Sequence, residues 1–490
     1  MRKYILEIGK HGSIYTISNF LTKATGLILI PVYTRYLTTS EYGIIANVIA
    51  IFNFFIIINT FGMQAAWGRF FFDFKDKSND IKIVFGNIFL FLFVYGFIIN
   101  LILSFFGKSL FTTLIPDLDF NPYILLALWT AFFAVFFNLK LTLFRVRQQS
   151  IQFGIFSFGK FLSMVILTIV AIVVYKYGAL GKVASEFTVF LIFSIISIYL
   201  LYKDFKLKFN WPILKNVLTY AIPTIPHALA GVLMVIVDRI FLTNLKGLDS
   251  VGVYAVGFQF GSIMGIIVNS INLSWSPFFM KTASQNNDSA KISFSKLTTY
   301  YVLIIIFIAL VIIFFSKEAV LIFTTKSYYQ AAPIVPIFIF SFVLTGLYYM
   351  MATKIFYVKS ATKYISVITI TSIVINIILN YSFIPEYGIF GAAWVRFISL
   401  FVSFVFAYLI SQKYYYIKYE YKRFFTLIGI GSLILFSFYI LESFNLSLLY
   451  IFIIKLLLLA SYFVLLHLFK FLTKSEIKNL REVISKMRSK

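Results

Sequence analysis

The residues of this 490-residue chain that could do chemistry are charged side chains set inside apolar runs. Lys23 lies deep in the first run and Arg35 closes it. Lys160 lies about a third of the way into a later run, Asp238 and Arg239 stand side by side in another, and Glu186 and Arg396 sit near the ends of two more. A charge at bilayer depth costs at least ~2.5–3.5 kcal/mol, so such a side chain faces a cavity or a partner. Lys23 is ~15 Å of helix rise from the start of its run, too deep for an easy snorkel, and is read as cavity-lining. The embedded cations Lys23, Lys160, Arg35, Arg239 and Arg396 outnumber the embedded acids Asp238 and Glu186. A surplus of buried positive charge calls for an anionic substrate, and Lys and Arg are the usual partners of phosphate. Asp238 is either a local ion partner or a coupling-ion site. Glu186 and Arg396 either meet across a gate or pair locally, each within its own half. His227, next to Pro226, is a candidate proton-responsive group.

Other chemistries are poorly served. The chain has no cysteine, which excludes disulfides, thiolate metal sites and cysteine nucleophiles. His11, His227 and His467 have no metal-ligand spacing. No catalytic residue, metal or organic cofactor is expected. There is no Walker motif, so this chain is not expected to hydrolyse ATP. A proton or sodium gradient, or consumption of the product, would supply the driving force.

Membrane helices must position these charges. The chain is 61% hydrophobic and only 12% charged, far from a soluble globule, and apolar runs long enough to cross a bilayer recur from end to end. Fourteen spans are expected, at about 13–34, 42–67, 84–106, 121–143, 152–175, 181–202, 215–243, 250–279, 297–315, 331–353, 364–384, 390–411, 424–441 and 447–469. The first is read as a retained span rather than a signal peptide. Net charge is +25, but the basic residues fall in short loops between spans, which argues against a nucleic-acid partner. Thirty of the 43 basic residues lie in segments of one side and six, including Lys182 and Lys246, in loops of the other. The larger group includes Lys354. The positive-inside rule then puts both termini in the cytoplasm.

The chain also repeats itself. At an offset of 204 residues Arg35 falls on Arg239 and Lys23 on His227, and the turns TSEYG and DSVGVY align after a five-residue insertion in the second copy. YGALGKVASEF (177–187) meets YGIFGAAWVRF (387–397), with Glu186 opposite Arg396. The expected organisation is a six-helix lobe over 1–203 and a parallel six-helix lobe over 211–412. An appended helix pair over 424–471 and a basic cytoplasmic tail over 472–490 complete it. Parallel repeats of this kind place the substrate between the halves and work by alternating access.

Three stretches carry a family likeness: IPVYTRYLTTSEYG (30–43), GMQAAWGRFFFD (62–73) and LSWSPFFMK (273–281). With the layout of six, six and two spans, the chain resembles the Wzx-type polysaccharide-flippase branch of the multidrug/oligosaccharidyl-lipid/polysaccharide exporter superfamily. The resemblance implies an all-α polytopic membrane protein with V-shaped lobes around a cationic cavity, in the inner membrane of a bacterium. It implies translocation of an undecaprenyl-pyrophosphate-linked oligosaccharide to the outer leaflet for O-antigen or capsule synthesis. Polysaccharide polymerase or assembly proteins are the implied partners, and the appended pair would help to form a groove for the lipid tail. A drug or cation exporter of the same superfamily and a lipid II-type precursor flippase are the alternatives. A membrane glycan polymerase would be expected to carry a large outer loop, which this chain lacks.

Overall fold

The computed structural model describes residues 25–73, 78–284, 288–444, 447–471 and 476. Lys23 lies outside them, as does the side chain of His227. The described residues are predominantly helical and contain no strand.

The helices, in chain order, are α1 (Ile30–Tyr36), α2 (Thr39–Thr60), α3 (Met63–Asp73), α4 (Ser78–Leu114), α5 (Leu125–Val146), α6 (Ser150–Ile169), α7 (Gly178–Leu201) and α8 (Trp211–Ala221). Then follow α9 (Ile225–Ala283), α10 (Asp288–Phe323), α11 (Val335–Tyr357), α12 (Lys363–Tyr414), α13 (Tyr421–Glu442) and α14 (Leu448–Leu468). Among the described residues, eleven helices are long and apolar enough to cross a membrane.

Two of them are too long for one crossing. A helix of 59 residues, like α9, would be ~90 Å long against ~30 Å of hydrocarbon. Gly247 breaks α9 at φ +79°, and Gly388 breaks α12 at φ +53°. Both backbone conformations suit glycine, which has no Cβ to clash. The Tyr254 hydroxyl then donates to Asp238 at 3.0 Å, sixteen residues back, and Ser372 meets Ser403 at 2.5 Å across thirty-one residues. Neither contact exists on a straight helix, so each element folds back and supplies two spans. The described residues then supply thirteen spans, and most of the expected first span lies outside them.

Local chemistry sets the helix ends. Pro31 opens α1 where its missing N–H costs nothing. Thr38 and Glu41 form a reciprocal capping box at the start of α2, the side chain of each accepting from the backbone N–H of the other. Asn210 caps α8 by accepting from the N–H of Ile213.

The described residues fall into two compact units. One comprises those up to Phe260 with Val320–Ile334 and Ile365–Ser403; the other comprises Gly261–Ala319, Val335–Tyr364 and those from Phe404 onward. Within the first, Trp67 stacks on Phe85 at 4.0 Å in a core that includes Phe136 and Leu143.

The start of α2 and the chain just beyond Gly247 cross inside this unit at very close range. A Cβ on Gly43 would strike the carbonyl of Leu248, and a Cβ on Gly252 the carbonyl of Thr39. Leu248 follows Thr39 by 209 residues, and Gly252 follows Gly43 by the same interval. Thr39 also hydrogen-bonds Asp249. Equivalent residues of the two copies therefore make reciprocal contacts.

In the second unit, Lys455 of α14 pairs with Glu318 of α10 at 2.5 Å and lies 5.3 Å from the Phe438 ring of α13. Lys354, counted above with a cytoplasmic loop, is instead 1% exposed at the end of α11. Its ammonium donates to Gln412 Oε1 at 3.0 Å and Tyr419 Oη at 3.4 Å. Burial pushes the Tyr419 phenol well above its ordinary pKa, so it stays neutral and serves as an acceptor.

Candidate functional site

A cavity of about 430 Å³ lies inside the first unit, walled by the start of the described chain, α2, α6, α7 and both halves of α9. Its first described residues are Thr25 and Gly26, and its charged lining is Lys160, Lys182, Glu186 and Arg239. Three cations face one carboxylate, leaving two positive charges in surplus.

The fold leaves two of the cations incompletely satisfied. Lys182 donates to Glu186 at 2.6 Å, one turn along α7, where residues four apart share a face. Lys160 makes no ion pair or hydrogen bond among the described residues. Its ammonium sits 4.0 Å from the Phe190 ring centroid and 5.5 Å from that of Phe137. Aromatic faces attract a cation but leave its N–H donors available. Arg239, 7% exposed, gives one N–H to the carbonyl of Ala46, while its buried Nε has no partner among the described residues. An unpaired buried charge–donor set of this kind is costly unless a ligand supplies acceptors. Phosphate oxygens are suited to that role.

Asp238 points away from this set. It is fully buried and accepts from Tyr254 at 3.0 Å, Asn376 at 3.0 Å and Asn380 at 2.9 Å, and it pairs with Arg396 at 3.3 Å. The Arg396 guanidinium also lies over the ring of Phe258, a cavity-lining residue, at 4.9 Å. The carboxylate is satisfied by three neutral donors and one cation.

The sequence-derived residues are thus distributed as follows. Lys160, Arg239 and Glu186 line the cavity; Arg396 and Asp238 form a buried pair next to it; Arg35 is exposed at the end of α1 and is absent from the lining. Of the two arrangements open for Glu186 and Arg396, the structure has the local one: each pairs within its own repeat, Glu186 with Lys182 and Arg396 with Asp238. Asp238 takes Arg396 as its ion partner rather than its neighbour Arg239. Lys182, placed above in an outer loop, is buried in the cavity wall. Its four-residue spacing to Glu186 was the signal for it.

A family model described as polysaccharide biosynthesis protein matches residues 8–283. The chain belongs to that family. The MatE family model also matches this polysaccharide biosynthesis protein, over residues 223–382. A protein of the Lsg locus of Haemophilus influenzae is 20% identical over 286 residues, 57% of this chain and 68% of that one. The structure of a lipid II flippase, MurJ, in an inward closed conformation superposes with a TM-score of 0.70 at 16% identity, over 91% of this chain and 97% of that one. An inward-facing multidrug resistance MATE family transporter of the MOP superfamily gives 0.63 at 13% identity, over 80% and 95%. At these identities the likeness to solved structures is one of fold. The polysaccharide biosynthesis protein is a multi-pass membrane protein with the fold of the flippase and transporter structures just named.

Proposed function

We propose that the chain translocates an undecaprenyl-pyrophosphate-linked oligosaccharide from the cytoplasmic to the outer leaflet of a bacterial inner membrane, by alternating access, for surface polysaccharide synthesis. The observation that carries this reading is the cavity's two-charge surplus, with donors on Lys160 and Arg239 left without acceptors. The pyrophosphate is held there by Lys160, Arg239 and Lys182, with Lys23 a further candidate. The prenyl chain stays in lipid. Both termini are cytoplasmic on the charge distribution, and polymerase or assembly proteins take over the product. Energy comes from a proton or sodium gradient, or from consumption of the product.

The MatE match over residues 223–382 favours a second reading, a drug or cation exporter. Its substrate would meet the wrong sign of charge. Flipping of a lipid-linked oligosaccharide in proteoliposomes tests the two readings, using wild type, Lys160→Ala, Lys160→Arg and Lys23→Ala. Translocation by wild type and by Lys160→Arg, lost in Lys160→Ala, supports the proposal. Efflux of organic cations without lipid-linked transport sinks it.

A further inference from the structure

A second cavity in the first unit, of about 570 Å³, has the opposite character. It opens at the end of the bundle where α1 turns into α2, at the breaks of α9 and α12, and at the turn before α11. The charge distribution assigns this end to the outside. Its polar lining includes Asp249, Glu386, Gln330, Ser250 and Ser327, and its aromatic lining includes Tyr387 and Phe390. Tyr387 is 53% exposed and Phe390 41% exposed.

The chemistry of this lining differs from that of the cationic cavity in two respects. Asp249 and Glu386 outnumber the one cation, Lys246, whose ammonium is already committed to the Pro385 carbonyl at 2.8 Å. A phosphate would be repelled. Ionised carboxylates accept several hydrogen bonds, and an amide both donates and accepts, so the wall matches a ligand rich in hydroxyl groups. Half-exposed aromatic rings beside such groups give an apolar platform with a wet edge. A sugar ring has both faces: C–H groups for the platform and hydroxyls for the carboxylates and amide.

The site is built rather than incidental. Gly388 supplies the left-handed turn that directs the chain back after Glu386 and Tyr387. The Lys246–Pro385 bond ties the α9 break to the α12 break. The Thr39–Asp249 bond closes the floor above the Gly43–Gly252 crossing.

We infer that this pocket is an oligosaccharide-binding site for neutral or amino sugars, receiving the glycan of the transported molecule on its exit side. The inference rests on the translocation reading for its choice of ligand and adds a second subsite of opposite charge to the first. Pyrophosphate and glycan are then held at separate places.

The test uses the full chain in nanodiscs and a panel of free tri- and tetrasaccharides of neutral, N-acetylated, amino and uronic type, followed by saturation-transfer NMR and titration. Inorganic pyrophosphate serves as the probe of the cationic cavity. Neutral or amino oligosaccharides should bind, uronic ones less well. Glu386→Gln and Tyr387→Ala should each weaken binding about tenfold, the scale of a lost charged hydrogen bond, with pyrophosphate affinity unchanged. Both side chains are exposed, so neither substitution disturbs the core. The inference is overturned if no oligosaccharide of the panel binds, or if binding survives both substitutions. Sugar binding that depends on Glu386 and Tyr387 in a protein that flips no lipid-linked glycan would support the pocket and count against the translocation reading alone.

Discussion

Gly43 and Gly252 sit face to face, a Cβ on either coming within 3.2–3.3 Å of the other's backbone nitrogen. Their interval of 209 residues is the interval of the repeat after its insertion, so one close helix crossing is made by the same residue of each copy.

That crossing makes a cysteine experiment decisive, because the chain has no cysteine of its own. In the double variant Thr39→Cys/Asp249→Cys, where the native side chains hydrogen-bond, a disulfide is expected under mild oxidation. It should arrest transport, and reductant should restore it. Electrophoretic mobility after cleavage between residues 39 and 249 reads the bond. Gly43→Ala should destabilise by about 1–3 kcal/mol through overpacking, measured by thermal unfolding.

The Asp238–Arg396 pair predicts a strongly non-additive cycle. Arg396→Gln leaves a buried carboxylate without its cation and should cost about 3–5 kcal/mol. Asp238→Asn strands the arginine at similar cost. The double variant should recover much of the loss, a coupling that thermal unfolding of all four proteins detects. Additive losses would mean that the two side chains do not meet.

Inside the cationic cavity, Glu186 is the one acid facing three cations. Glu186→Gln frees Lys182 and raises the surplus from two charges to three. Pyrophosphate should bind about threefold tighter or more, on Coulomb energies at an effective dielectric constant near 20. Turnover should fall if release then limits the cycle. Isothermal titration at two salt concentrations checks the sign and the screening.

Two buried lysines of the second unit should respond in opposite ways to methionine. Lys455, 2% exposed, is paired with the part-buried Glu318, so Lys455→Met strands a carboxylate and should cost about 1–3 kcal/mol. Lys354 has no carboxylate partner among the described residues and bonds only Gln412 and Tyr419. Gln412 keeps the Ile417 N–H as a donor when the lysine goes. Lys354→Met should therefore be neutral or stabilising by up to about 1–4 kcal/mol. Thermal unfolding of the two variants side by side compares them.

Hydropathy alone was enough to place the described spans, because a bilayer about 30 Å thick demands helices of a fixed length whose backbone bonds are satisfied internally. The turns at Gly247 and Gly388 were equally legible, since each falls between two expected spans. Which charges meet was not. Arg35 and Arg239 occupy matching positions of the repeat, yet one is exposed and the other lines a cavity. Asn376, Asn380 and Tyr254 carry no sequence mark of the carboxylate they serve. Lys354 reads as a loop residue until Gln412 and Tyr419 close over it. Period and composition report the environment of a whole helix, water or lipid. The partner of a single side chain depends on its angle about the helix axis and on what the neighbouring helix brings to that height, and both are settled only when the helices pack.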